Sequence, residues 1–142
     1  MKYIQITSEK DNDIPYLISI HKIPEISHFI SISEENYFHY VTTTKNVFYF
    51  KVYKNDDLVG AVHCELFDKM LCMSILVIPI FQKRGIGTAI LYDIQNGVLP
   101  LTYTHIKVSI DKFNSSSLRL FKKMDFTKIS EEEGLIDFIW SV

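Results

Sequence analysis

The chain has 142 residues, of which 47% are hydrophobic and 23% charged, with a formal net charge of −2. This is the profile of one folded domain over residues 1–142 with a core of its own, and it excludes disorder and any general attraction to nucleic acid or to an anionic membrane. No apolar run approaches the roughly 20 residues that span a bilayer, the opening MKYIQITSEKDND lacks the apolar stretch of a secretory signal, and Cys64 and Cys72 have neither disulfide-framework nor metal spacing, so a reduced, cytoplasmic protein without a metal is expected.

Tyr3 to Thr7 alternates and predicts a short first strand. Asp13 to Ile23 (DIPYLISIHKI) carries apolar residues at helical spacing, with Asp13 as N-cap and Pro15 in the first turn. Pro24 interrupts it, and Ser33-Glu34-Glu35 opens a second helix to about Thr43, with Tyr37, Phe38 and Tyr40 as apolar members. Asn46 to Tyr53 (NVFYFKVY) is rich in β-branched and aromatic residues and predicts a strand. Asn55-Asp56-Asp57 is turn chemistry, and LVGAVHCEL returns as the hairpin partner. After the turn Phe67-Asp68-Lys69 comes LCMSILVI, a near-continuous apolar run of the kind expected for a central strand covered on both faces. TAILYDIQ predicts a helix stopped by Asn96-Gly97, and His105 to Ile110 another strand. Asn114 and three serines cap a helix through Met124, with Leu118, Phe121 and Met124 on one face. Phe126 to Ile129 and Leu135 to Trp140 close the chain as strands around the acidic turn EEEG. The order β-α-α-β-β-β-α-β-α-β-β, with antiparallel hairpins in the middle and two β-α units after them, predicts a mixed α/β sheet.

Between the apolar run and its helix lies IFQKRGIGT, Ile80 to Thr88. A strand running into glycines and then a helix is suited to hold an anion. The first amides of the helix have no intrahelical partner, the helix dipole adds positive potential, and Lys83 and Arg84 add charge. A phosphate-binding G-x-x-x-x-G-K-[ST] string is absent, and Gly85-x-Gly87 leads to Ile90 where a dinucleotide fingerprint needs a third small residue.

The longer string Ile75-x-Val77-x-Pro79-x-x-Gln82-x-x-Gly85-x-Gly87 resembles the signature of the GNAT N-acetyltransferase superfamily. Asn114-x-x-Ser117-Leu118-x-Leu120-Phe121-x-x-Met124-Asp125-Phe126 is similar to that family's N-x-x-A-x-x-L-Y-x-x-L-G-F helix. The resemblance covers essentially the whole chain and is strongest from Leu71 to Phe126. It implies a mostly antiparallel central sheet of about seven strands flanked by about four helices. It also implies acetyl-CoA as co-substrate. The amides from Gln82 through Lys83, Arg84, Gly85, Ile86 and Gly87 to Thr88 would hold its pyrophosphate, and the backbone of Ile75, Leu76 and Val77 would pair with its pantetheine arm. Asn114 would reach the cofactor while capping its helix, and Phe121 would lie beside it.

Acetyl transfer to an amine needs a deprotonated nucleophile, and a lysine-type amine with a pKa of about 10.4 calls for a general base. Glu65 is the first candidate: it ends the strand before the central one and shares a face with His63. By family analogy the amide of Leu76 or Val77 would receive the carbonyl oxygen as charge develops. Many members protonate the leaving thiolate with a tyrosine, but the matching residue here is Phe121, with Tyr92 and Tyr103 as possible substitutes. Leu71 stands where some protein-acetylating members carry a glutamate, and Cys64 and Cys72 have no neighbouring His or cation for a thiol mechanism. The acceptor, a small-molecule or peptide amine, would lie between residues 24–39 and 131–140, near Glu25, Glu34, Glu35 or the Glu131–Glu133 run. The rival expectation is a CoA-binding module with little catalysis, and a homodimer is left open.

Overall fold

The computed structural model describes residues 1–28 and 36–142. In chain order the elements are β1 (Lys2–Gln5), α1 (Ile14–His21), α2 (Pro24–Ser27), α3 (Tyr37–Thr43), β2 (Val47–Lys54), β3 (Asp57–Phe67), β4 (Met70–Val77), α4 (Ile86–Gln95), β5 (His105–Asp111), α5 (Ser115–Lys123), β6 (Thr127–Glu132) and β7 (Leu135–Ser141). All seven predicted strands are present. Four helices were expected and five are described. The extra one is the single turn α2, because Pro24 sits in its first turn, where a missing N–H costs nothing, and so starts a helix instead of ending one. Ser33, Glu34 and Glu35, expected to open the next helix, lie outside the described residues.

The strands form one sheet in the order β1-β2-β3-β4-β5-β7-β6, with only β4 and β5 parallel. Because side chains alternate, the sheet has two differently furnished faces. One face carries Phe50, Val62, Cys64, Leu71, Met73, Ile106, Val108 and Phe138, packed on Ile86, Ile90, Leu91 and Ile94 of α4 and Phe121 of α5. The other carries Val47, Tyr49 and Ala61 beneath Ile14 and Leu17 of α1 and Phe38 and Val41 of α3. Ile20, Ile26, Leu76 and Ile78 extend this second layer to the end of β4. β4 itself departs from the expected two-sided burial: Leu71 and Met73 are buried, whereas Cys72, Ser74 and Ile75 are only half-buried.

Polar ties fix the helices on this frame. The Lys51 ammonium, nearly buried, contacts Asp11 at 3.0 Å and Asp13 at 2.8 Å, and the Tyr53 hydroxyl also donates to Asp13. Hydrogen bonds from Lys51 and then Tyr53 hold the Asp13 carboxyl below its ordinary range. Asp13 therefore stands at the N-cap position of α1 without capping it through its side chain, which is committed to β2. The Tyr3 hydroxyl donates to Asp93 on α4, and the Gln95 amide donates to the Met124 carbonyl beyond α5. No helix among the described residues is long and apolar enough to cross a membrane.

His21 supplies a pH test of this packing. It is 4% exposed, its Nε2 lies 3.0 Å from the Tyr49 hydroxyl, and its Nδ1 has no partner among the described residues. Burial first, and then the neighbouring His63, lowers its pKa from 6.5 to about 4. The unfolded chain takes up this proton before the folded one does. Stability is therefore full above about pH 6.5 and falls as pH drops toward 4, by roughly 3 kcal/mol if the whole shift is expressed. Urea unfolding from pH 7 to 4.5 should show a smaller loss for His21→Leu than for the parent protein, and equal losses would refute this origin.

Candidate functional site

A cavity of about 430 Å³ opens at the C-terminal end of β4. Ile75, Leu76 and Val77 form its floor, and Phe81, Gln82 and Lys83 one rim. The first turn of α4 (Gly85 to Thr88) and one side of α5 (Asn114, Ser116, Ser117, Arg119, Leu120, Phe121) form its walls, with Glu25 and Ile26 of α2 closing it. Its size is within the range of small-molecule sites.

The floor exists because β4 and β5 part company. Their pairing covers only Met70–Cys72 against His105–Lys107, although β4 runs on to Val77 beside β3 and β5 to Asp111 beside β7. In an antiparallel ladder, backbone groups face the partner on alternate residues. The Ile78 amide donates to Val59, so Ile78 and, two residues back, Leu76 face β3. Ile75 and Val77 then face the gap, and the Gln82 side-chain amide reaches the Val77 carbonyl there at 3.1 Å. This corrects one expectation: the Leu76 amide belongs to the β3 ladder and is not available to a ligand, although the residue does line the cavity.

The loop above the floor presents backbone amides. Gly85 has φ +78 and occupies the N-cap position of α4 with no side-chain cap, and the first intrahelical bond runs from Ala89 N–H to the Gly85 carbonyl. The amides of Ile86, Gly87 and Thr88 thus precede the ladder and point out of the helix end. Lys83 also has positive φ, +62, uncommon outside glycine. Across the cavity, α5 presents a second N-terminus, where Asn114 Oδ1 accepts from Ser117 N–H at 3.3 Å while Asn114 also lines the cavity. Arg84 departs from expectation. It is not a wall residue, and its guanidinium lies 5.8 Å from the centre of the Phe81 ring. Two helix ends with Lys83 and Arg119 suit a ligand with more than one negative group.

None of Glu65, Tyr92 and Tyr103, the residues expected to handle protons, lines this cavity; Phe121, at the position of the family's tyrosine, does, is 3% exposed and meets Phe126 edge-on at 5.0 Å. The Tyr103 hydroxyl is spent on the Ile94 carbonyl, and Tyr92 is exposed on α4 and is not a wall residue. Neither supplies a hydroxyl to the site. Glu65 lies on the opposite face of the sheet, paired across the ladder with Cys72, and its Oε2 is 2.8 Å from His63 Nε2. Cys64 is fully buried and burial pushes its thiol up; Cys72 is half-buried and likewise raised, first by burial. Glu131 is paired with Lys128 on exposed β6, Glu25 does line the cavity, and Glu34 and Glu35 lie outside the described residues.

Sequence reading missed Ser116, Ser117 and Arg119 as wall residues, since a polar helix face carries no signal that singles them out. It also missed Gly60. A Cβ there would stand 2.4 Å from the Leu76 carbonyl oxygen, so the close approach of β3 to the end of β4 requires glycine; a lone glycine inside a strand was the available cue.

Residues 14–126 match the acetyltransferase (GNAT) family. No curated protein matches the chain by sequence. Among solved structures, the chain is similar to a domain from Methanocaldococcus jannaschii at 18% identity, covering 99% of each chain with a TM-score of 0.80. It is also similar to the Campylobacter jejuni N-acetyltransferase PseH in complex with acetyl coenzyme A, at 17% identity, 99% and 97% coverage and a TM-score of 0.78. A third similar structure is the ribosomal-protein-alanine N-acetyltransferase of Brucella melitensis, at 14% identity, full coverage of both chains and a TM-score of 0.74. At these identities the likeness is one of fold.

The glycines separate frame from site. Gly60→Ala should cost about 2–4 kcal/mol in denaturant unfolding, because its nearest neighbour is backbone. At Gly87 a Cβ would meet only Leu120 and Val77 side chains at 3.5 and 3.7 Å. Gly87→Ala should therefore fold with equal or slightly higher stability, by up to about 1 kcal/mol. A marked loss at Gly87, or none at Gly60, would contradict these assignments.

Proposed function

The chain belongs to the acetyltransferase (GNAT) family and is an acetyl-CoA-dependent acyltransferase, and we propose that it acetylates a primary amine, on a small molecule or a peptide, by direct transfer. The observation that carries the reading is the gap beside β4: the Ile75 and Val77 amides face it without a strand partner, and the chain turns through residues 79–85 to bring the amide-rich N-terminus of α4 over the same cavity. An extended arm lying in the gap would gain strand-like hydrogen bonds from Ile75 and Val77. A diphosphate at its end would meet the amides of Gly85 to Thr88 and the Lys83 side chain, with Asn114 and Arg119 opposite. Residues and ligand chemistry therefore fit.

Acetyl-CoA supplies an activated acyl group on a thiolate leaving group. The roles left to the chain are two. The Ile75 or Val77 amide, already aimed into the gap, donates to the acyl oxygen as charge grows on it. Glu65 takes a proton from the acceptor ammonium so that the nitrogen lone pair can attack. As the nitrogen–carbon bond forms and the carbon–sulfur bond breaks, the second nitrogen proton passes to solvent and the thiolate departs. A rise of about 3.3 Å per residue sets Cys72, opposite Glu65, roughly 10 Å from Ile75 along β4. That leaves room for an amine, or an amine and one water, between carboxylate and acyl carbon. Phe121 gives no proton, and a thiol with a pKa near 8.5 leaves adequately without one.

Thiol release from acetyl-CoA should be accelerated by at least one amine in a panel of ethanolamine, putrescine, glucosamine, lysine amide and an alanine-terminated peptide. Cofactor binding with no amine-dependent release would favour a CoA-binding module. Gly87→Glu should abolish acetyl-CoA binding through steric and charge conflict, and Glu65→Gln should lower kcat by 10²-fold or more. Retained binding or retained kcat would sink the corresponding assignment. Phe121→Tyr should raise turnover, up to about tenfold, where thiolate protonation limits it; an unchanged rate assigns the limit to another step.

A further inference from the structure

The face of the sheet opposite the cavity core carries a chain of hydrogen bonds that runs from α3 through β3. On β3, His63 and Glu65 point the same way, two residues apart, with fully buried Cys64 between them pointing into the other layer. His63 Nε2 is 2.8 Å from Glu65 Oε2, and His63 Nδ1 is 2.5 Å from the Tyr37 hydroxyl of α3. Across the ladder His63 stands opposite Ser74, next to Ile75, at the level where β4 has already separated from β5.

The three groups settle one another's protons. Glu65 as carboxylate only accepts, so the ring proton belongs on Nε2, and Nδ1 is then an acceptor that the Tyr37 O–H satisfies. Tyr37 keeps its proton, since burial, and secondarily the charge of Glu65, raises its phenol above the ordinary value. Glu65, on a side chain 31% exposed, thus accepts from His63 and has the Tyr40 hydroxyl of α3 as a further hydrogen-bond partner, while His63 is 18% exposed with both nitrogens engaged. The arrangement follows the logic of a base oriented by a second group that is oriented by a third.

We propose that Tyr37 and His63 are positioning residues: Tyr37 fixes the His63 tautomer, and His63 fixes Glu65 facing the acceptor amine. This rests on the reading of Glu65 as base. The chain also accounts for an aromatic helix residue at Tyr37 whose ring sits edge-on to Phe38 and Tyr49 but whose hydroxyl is directed to the sheet. The proton removed from the amine ends on Glu65, and neither Tyr37 nor His63 changes its own proton count.

Nitrogen-15 NMR of the histidines in the parent protein at pH 7.5, with His63 assigned by its loss in His63→Gln, should show the Nε2–H tautomer of His63. The Nδ1–H form, or averaging like that of a free side chain, would overturn the proposal without any variant having to fold. Tyr37→Phe retains the ring. It should lower kcat about tenfold at unchanged KM for acetyl-CoA with the best acceptor of the amine panel, and release His63 to mixed tautomers. In a Glu65→Gln background it should cause no further loss. If Glu65→Gln loses activity and Tyr37→Phe does not, the positioning role alone fails; if Glu65→Gln is fully active, the reading of Glu65 as base fails first.

Discussion

The site depends on one break in the sheet. β4 and β5 are paired for three residues and then diverge, each kept straight by its other neighbour. Backbone groups inside a sheet are normally paired, and leaving one buried and unsatisfied costs about 1–3 kcal/mol. The break is tolerable because it opens onto a cavity and because parts of its rim are repaired. Gln82 donates to the Val77 carbonyl, and Gly60 lets β3 press against Leu76 so closely that β4 stays in its ladder to the last residue. What remains are amides on Ile75 and Val77 that await an extended partner.

The same break joins the two faces. On one side α4, bound to the sheet through Ile90, Leu91 and Ile94 at no exposure, and α5, bound through Phe121, hold their N-termini over the cavity. On the other, α1 and α3 cover only the half of the sheet toward β2, so that His63, Glu65, Cys72 and Ser74 stay partly accessible beside the gap. An acyl arm in the gap would have its anionic end among helix termini and its reactive end among hydrogen-bonded side chains. The alternation of a strand produces this division: in His63-Cys64-Glu65 the thiol enters the core and its neighbours point away from it.

The strands were legible because their apolar and aromatic runs are bounded by Asn, Asp and Gly, and α4 and α5 because glycine and Asn114 mark where each starts. Their placement at the site was legible only through resemblance. Phase was not: whether Leu76 or Ile75 offers its amide depends on the register of β3 against β4, which no local pattern records. Arg84 appeared as cationic as Lys83, yet the turn aims one at Phe81 and the other at the cavity. Tyr37 read as one apolar residue of a helix, and its link to His63, 26 positions away, arises only when α3 lies across β3. The α2 turn was lost because proline signals both an ending and a beginning.

A chain with net charge −2 does not draw a polyanion by its total charge, and at physiological ionic strength fields fade over about 8 Å. Attraction for the proposed ligand would be local, and the loop after β4 holds the features that would provide it. Lys83 is held at φ +62, a conformation that costs a residue with a Cβ about 1–2 kcal/mol. Gly87 sits in the first turn of α4, where alanine would fit and would favour the helix. Neither position is explained by packing inside the protein, and both line the cavity. A strained residue and a bare helix turn around one concave surface are what a ligand that presses on that surface would select. In the proposed site, Lys83 would deliver a charge at a cost in backbone conformation, and the absent side chain of Gly87 would leave the helix end bare.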